Sequence, residues 1–264
     1  MQKFTPNNGL QGWVRRLALC VSATYLLGAA PVYAKAEALT IAVAANFAAP
    51  MQSIAAAFAQ QSGHKLQLAF GSTGKLYAQI KNGAPYQMLL AADSQTPERL
   101  EKEGYTLPAS RFTYATGRLV LWSSKPGYVD AQGAVLHTDS FKHLALADPK
   151  LAPYGAAAQQ TLQAMGLEAA LQSRWVQGEN IAQAYQFVAT GNAELGFVAL
   201  SQLMQNGRMA AGSAWVVPQR LHVPLRQDAV VLLPGKDHAA VKALAAYLQG
   251  NKARAIMRSY GYEH

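Results

Sequence analysis

Apolar runs of strand length alternate with stretches of helical spacing along most of the chain. Leu39 to Ala44 reads as a strand, and Met51, Ile54, Ala55 and Phe58 then recur at the spacing of a helix face. Leu66, Leu68 and Phe70 alternate as a second strand. After the turn Gly71-Ser72-Thr73-Gly74, the positions Leu76, Tyr77 and Ile80 mark a second helix that stops near Asn82-Gly83. Met88 to Ala92 is a third strand. The order β-α-β-α-β predicts a parallel sheet with helices packed on it. The same order returns further on. Leu144 to Ala147 is a short strand closed by Asp148-Pro149, and an Ala-rich helix follows Pro153-Tyr154-Gly155 to about Met165. Trp175-Val176 is a brief strand, Ile181, Ala184, Tyr185 and Val188 form a helical stripe, and Leu195 to Leu200 is a buried strand.

Two such units make a two-lobe α/β protein. Gly117 to Trp122 is read as one strand that carries the chain out of the first lobe, and Leu221 to Leu233 as the strand that carries it back. Lobe 1 is then residues 39–117 plus 227–264, and lobe 2 residues 118–226. A closing helix, about His238 to Met257, belongs with the first lobe. Two crossing strands make a hinge, the geometry of a protein that closes on a ligand.

The N-terminal pattern is different. Lys3, Arg15 and Arg16 precede an apolar stretch from Leu17 to Ala30, followed by Pro31 and Val32-Tyr33-Ala34, with no acidic residue before Glu37. This is a secretory signal peptide over residues 1–34, cut after Ala34 or, second, after Ala36. The apolar stretch is shorter than the roughly 20 residues a membrane-spanning helix needs. Cys20, the only cysteine, stands at the start of that stretch, where a lipid-attachment cysteine would stand at its end. The exported chain would therefore carry no disulfide and no thiolate site. It would keep 20 basic residues against 14 acidic ones, a formal +6, spread without a block of like charge. Nucleic acid is not the expected partner; a mild positive field gathers small anions.

The chemistry lies in four turns. Ligands of parallel α/β sheets bind where strands end and helices begin. Here those places are Ala45-Asn46-Phe47, Ser72-Thr73-Gly74, Pro153-Tyr154-Gly155 and Asn180-Ile181. Each presents backbone N–H groups, and three add a donor: the Asn46 amide, a Ser72 or Thr73 hydroxyl, and the Tyr154 phenol. Asn180 reads as a plain helix cap, with Ile181 offering its N–H. None carries a charged side chain. Each helix start contributes about half a positive charge, so four supply about two, a match for a dianion. Any one of these turns alone is better explained as an ordinary cap; four at equivalent places in two repeats point to a binding site. A pocket of donors suits molybdate, tungstate or sulfate, which are fully ionised near neutral pH. Phosphate keeps a proton and needs an acceptor.

These stretches also carry a resemblance. From about Leu39 to Tyr262 the chain resembles the periplasmic molybdate-binding proteins of ABC importers, a branch of the type II periplasmic binding protein fold. The matching pieces include Ala44-Ala45-Asn46-Phe47, Phe70-Gly71-Ser72-Thr73, Gly83-Ala84-Pro85, Pro153-Tyr154-Gly155, Leu195-Gly196-Phe197-Val198 and Tyr260-Gly261-Tyr262. The resemblance implies a buried tetrahedral oxyanion held by Asn46, Thr73, Tyr154 and Ile181, with the Ala45 amide as a weaker fifth. It implies molybdenum bound only as that oxyanion, no cofactor, a membrane permease as partner, a monomer, and a periplasmic location. The chain departs from the family in having Asn46 where many members have Ser, Ala199 where many have Tyr, Tyr154 where a smaller residue is common, and Gln87 in place of an Asp. Gln87 is expected to serve lobe packing.

An enzyme is disfavoured. No His pair has metal-ligand spacing, and no carboxylate pair falls in the turns. Gly71-Ser72-Thr73-Gly74-Lys75 fails as a phosphate-binding P-loop, because Ala69 and Leu76 stand where that motif needs Gly and Ser or Thr. The same fold holding sulfate is the alternative reading.

Overall fold

A computed structural model describes residues 1–3, 39–205, 207–209 and 211–263. Apart from residues 1–3, the expected leader lies outside the described residues. Two five-stranded sheets carry the fold: in the first the strands lie in the order 66–71, 39–44, 88–90, 225–231, 112–117, and in the second 213–216, 119–123, 195–199, 144–147, 175–178.

The first sheet is built from β1 (Leu39–Ala44), β2 (Leu66–Gly71), β3 (Met88–Leu90) and β4 (Phe112–Gly117). Its helices are α1 (Ala48–Ser62), α2 (Thr73–Lys81) and α3 (Gln95–Lys102). Strand β1 pairs in parallel with β2 and β3. It is buried on both faces except at the half-buried Thr40, as its mostly apolar run requires. The second sheet holds β5 (Leu119–Ser123), β6 (Leu144–Ala147), β7 (Trp175–Gly178) and β8 (Leu195–Ala199). Its helices are α4 (Pro153–Ala164), the short α5 (Glu168–Leu171), α6 (Ile181–Ala189) and the short α7 (Leu200–Leu203). Here β6 pairs in parallel with β7 and β8. A hairpin of β9 (Met204–Gln205) and β10 (Arg208–Met209) precedes β11 (Ser213–Val216) and β12 (Leu225–Val231). The chain ends in α8 (Ala239–Gln249) and α9 (Asn251–Ser259).

The two lobes therefore share one plan: three parallel strands, one antiparallel strand beside them, and an antiparallel edge. The segment read from sequence as a single strand, Gly117 to Trp122, is two. It leaves the first sheet at Gly117, passes Arg118, and enters the second sheet at Leu119. The closing helix is likewise two, because Gly250 has an extended backbone (φ −83°, ψ 164°) that ends α8 and caps α9. Helix α3 escaped the apolar-pattern reading because it is mostly polar and buries little beyond Pro97 and Leu100.

The core of the first lobe has two layers. Phe47, Met51, Ile54 and Phe58 pack with Val241, Leu244 and Met257 on one face of the sheet, and Leu76, Ile80 and Leu100 cover the other. A single large cluster around Leu121, Leu146, Leu162, Val188 and Phe197 fills the second lobe and reaches Ala44, Ala45 and Ala92 of the first. Gln87 does pack within its lobe: its Oε1 accepts from the Thr40 amide of β1 at 2.6 Å.

Candidate functional site

The four helix starts meet. Ala45, Asn46, Thr73, Tyr154 and Ile181 all line one small cavity between the lobes, joined by Ser72, Pro153 and Asn180. All five are buried, Ala45 the least at 8% exposed. The cavity leaves about 10 Å³ to the centre of a water-sized sphere. Space of that size is about what one water-sized group needs, and it excludes an organic molecule. Among the described residues, no Asp, Glu, Lys, Arg or His lines it.

Which donors the cavity receives follows from how each helix is capped. At α2, Ser72 Oγ accepts from Lys75 N at 3.4 Å, the Leu76 amide bonds Ser72 O, and the Gly74 amide crosses to Leu151 O of the other lobe at 2.9 Å. Thr73, at the first helical position, is left with its N–H. At α6, Asn180 Oδ1 takes both Ala182 N and Gln183 N, at 2.9 and 3.2 Å, and so spares the Ile181 amide. Helix α4 has no side-chain cap. Pro153 occupies its first position, where a missing N–H costs nothing, so Tyr154 is the first residue to offer one. Ala45 and Asn46 head a 3₁₀ turn before α1, also without a side-chain cap. Within the described residues, the caps thus leave uncovered the amides of the residues named from sequence. These positive helix ends converge where no side-chain charge of the described residues competes.

The hydroxyls are polarised the same way. Thr73 Oγ1 accepts from Ala92 N at 3.0 Å, Ser72 Oγ accepts from Lys75 N, and Tyr154 Oη accepts from Gln227 Nε2 at 3.2 Å. Each hydroxyl oxygen is engaged as an acceptor, and the Tyr154 hydroxyl also has Tyr262 within hydrogen-bond reach.

Asn46 behaves otherwise. Its carboxamide nitrogen donates to Gln227 Oε1 and to Tyr262 Oη, both at 2.9 Å. The side chain that reads as a ligand donor in the sequence is spent inside the protein, and the backbone N–H is what residue 46 brings to the cavity. Its carbonyl accepts from Ser201 Oγ at 2.7 Å and Tyr262 Oη at 3.0 Å. Tyr114 Oη adds a bond to Gln227 Oε1 at 2.9 Å. Gln227, Tyr114, Tyr262 and Ser201 form a buried polar layer under the cavity that the sequence reading missed. One signal was available: Leu225, Gln227, Ala229 and Val231 share one face of β12, and a polar residue among apolar ones at that spacing marks a buried polar contact. Gly117 belongs to the same layer, since a Cβ there would stand 2.0 Å from Tyr154 Oη and 2.5 Å from Gln227 Nε2. Burial pushes the Tyr154 and Tyr114 phenols well above their ordinary pKa and Tyr262 up to about 12, so all three stay protonated at neutral pH.

At the rim the lobes touch twice more. Lys75 Nζ meets Glu179 Oε2 at 2.9 Å, and Gly74 packs directly on the Leu151 backbone. Beside this contact a wider cleft of about 300 Å³, lined by Asp93, Thr96, Lys150, Gln160 and Arg226 among others, stays open between the lobes.

Comparison with known proteins agrees with this geometry. The profile of the family described as bacterial extracellular solute-binding protein matches residues 39–263. The chain is 59% identical to the molybdate-binding protein of Azotobacter vinelandii over 87% of this chain and 91% of that one. It is 48% identical to the molybdate-binding protein of Rhodobacter capsulatus, over 87% and 89%. A solved structure, the periplasmic molybdate-binding protein of Azotobacter vinelandii, superposes with a TM-score of 0.84 at 42% identity, covering 86% of this chain and 99% of that one.

Proposed function

The chain belongs to the bacterial extracellular solute-binding protein family, and on that premise we propose that it captures molybdate or tungstate and delivers it to the permease of an ABC importer. The observation that carries the reading is the cavity. Donor groups from both lobes face one small buried space that, among the described residues, no charged side chain lines. A doubly charged oxyanion is stabilised there by N–H groups and helix starts, and it brings no proton in need of an acceptor. The amides of Ala45, Asn46, Thr73, Tyr154 and Ile181 hold it, with hydroxyl protons of Ser72, Thr73 and Tyr154 beside them.

The mechanism is binding and release. The anion enters between open lobes, the two sets of donors close on it, and the closed shape is what the permease recognises. Molybdenum is cargo here and arrives only as its oxyanion, so no resident cofactor is required. The protein acts as a monomeric carrier in the periplasm and catalyses nothing. Relatives named as molybdate-binding proteins and the exported pattern of residues 1–34 support this. Sulfate satisfies the same donors and is the competing cargo, separable by size alone.

Calorimetric titration with molybdate, tungstate, sulfate and phosphate, paired with melting curves, tests the reading. Molybdate and tungstate should bind with nearly equal affinity and raise the melting temperature. At one hundred times Kd the gain is about 2.7 kcal/mol. Binding of phosphate alone, or of none of the four, sinks the proposal. Preference for sulfate replaces the cargo and keeps the mechanism.

A further inference from the structure

Gln227 lies on β12, the strand that re-enters the first sheet, and is 0% exposed. One carboxamide there serves both lobes. Its oxygen accepts from Asn46 of the first lobe and from Tyr114, and its nitrogen donates to Tyr154 of the second. A carboxamide's two ends are not interchangeable. The Asn46 N–H fixes the oxygen end, with the Tyr114 hydroxyl shared between it and Ala91 O, and this turns the N–H end onto the Tyr154 hydroxyl. That hydroxyl oxygen then accepts from Gln227, and the hydroxyl also has Tyr262 within hydrogen-bond reach. The Gln227 oxygen draws the Asn46 carboxamide out of the cavity, leaving that residue's backbone N–H.

We propose that Gln227 is a positioning residue that sets the hydrogen-bond polarity of the cavity and thereby its preference for fully ionised oxyanions over protonated ones. This rests on the oxyanion-capture reading above. Without the Gln227 N–H, the Tyr154 oxygen is free to accept, and a hydrogen-bearing anion such as hydrogenphosphate finds the partner it otherwise lacks. The residue never touches the anion. Its effect passes through Tyr154 and Asn46.

Gln227→Glu is the closest test, since it keeps the shape and replaces the donor end by an acceptor. Tyr154 must then give its proton to the new carboxylate. The titratable side chains around the position are Tyr114, Tyr154 and Tyr262, all neutral, and the carboxylates whose charge reaches Tyr114 are Asp93 and Asp228. Burial raises the pKa of the introduced acid, so lowering the pH from about 8 to about 6 protonates it and returns an O–H donor to Tyr154. Molybdate affinity of this variant should be at least about tenfold below wild type at the higher pH and recover as the pH falls. The wild type and Gln227→Met should show no such recovery. In Gln227→Met the ratio of molybdate to phosphate affinity should drop by about tenfold or more, a readout that survives even if the acidic variant folds only at lower pH. A Tyr154→Phe change should weaken molybdate binding in the wild type and add little in the Gln227→Glu background. Unchanged selectivity in Gln227→Met, or a flat pH profile in Gln227→Glu, overturns the proposal. Wild-type protein that ignores molybdate overturns the functional reading instead, so the two failures are distinct.

Discussion

The two lobes have the same strand order and parallel core, yet they free their ligand-facing amides by different means. The first lobe uses a hydroxyl cap at α2 and an uncapped 3₁₀ turn before α1. The second uses a proline at the start of α4 and an asparagine at α6 that absorbs two neighbouring amides and leaves the third. The lobes differ in support as well. Most of the polar layer under the cavity, Tyr114, Gln227 and Tyr262, comes from the first lobe, while the second contributes Tyr154 and Ser201. Topology thus fixes where the amides point, and local capping decides which of them are left over.

Glycine substitutions should break this comparison most sharply. A Cβ on Gly155 would stand 2.2 Å from Ala147 O inside the second lobe, whereas one on Gly74 would stand 3.0 Å from Leu151 O across the lobe boundary. Gly155→Ala should therefore cost about 3 kcal/mol of folding stability, seen in chemical denaturation. Gly74→Ala should leave unliganded stability nearly unchanged and weaken molybdate binding, because its clash exists only when the lobes meet. Equal stability losses would show that the cleft contact is part of one rigid core.

Cap removal comes next. Asn180→Ala frees two amides and should cost about 1 kcal/mol of stability. Ser72→Ala loses one long bond and should cost less in melting temperature but more in anion affinity, since it also removes a hydroxyl proton from the cavity. The reverse ranking would contradict the division between capping and binding.

The Lys75–Glu179 pair joins the lobes at the surface, with both side chains more than a third exposed. Glu179→Gln should lower affinity by less than about fivefold, and titrations at high salt should erase even that.

The smallest effect concerns the return crossing. His222 is buried in the segment before β12, its Nε2 has no hydrogen-bond partner among the described residues, and burial holds its pKa below the ordinary histidine value. With the folded-state pKa lowered, the unfolded chain binds more protons, so stability falls as pH drops through the ordinary range near about 6.5. Melting curves between neutral and mildly acidic pH should show a smaller loss for His222→Phe than for the wild type. An equal loss would remove this residue from the acid response.

Much of this was legible in the sequence because it is local. A strand's apolar run, a helix's spacing and a turn's residue types all sit within a few positions, so the two βαβαβ units and the four turns could be read directly. The Asn46 side chain could not. Its partners lie 181 and 216 residues away, and nothing near residue 46 announces them. The break at Arg118 was hidden for a related reason: the residues either side are equally strand-like, and only the existence of two sheets separates them. Tyr154 was legible as a site residue, but its phenol's acceptor role toward Gln227 is a tertiary fact.

The crowding at Gly117 ties three positions into one evolutionary unit. A side chain at 117 and a phenol at 154 compete for the same volume, with Gln227 as the third occupant. A lineage that gained bulk at 117 would first have to surrender the phenol and shift the Gln227 carboxamide, and shrinking residue 154 alone would leave 117 blocked by Gln227. Substitutions at these sites should therefore appear in a fixed order along descent, never independently.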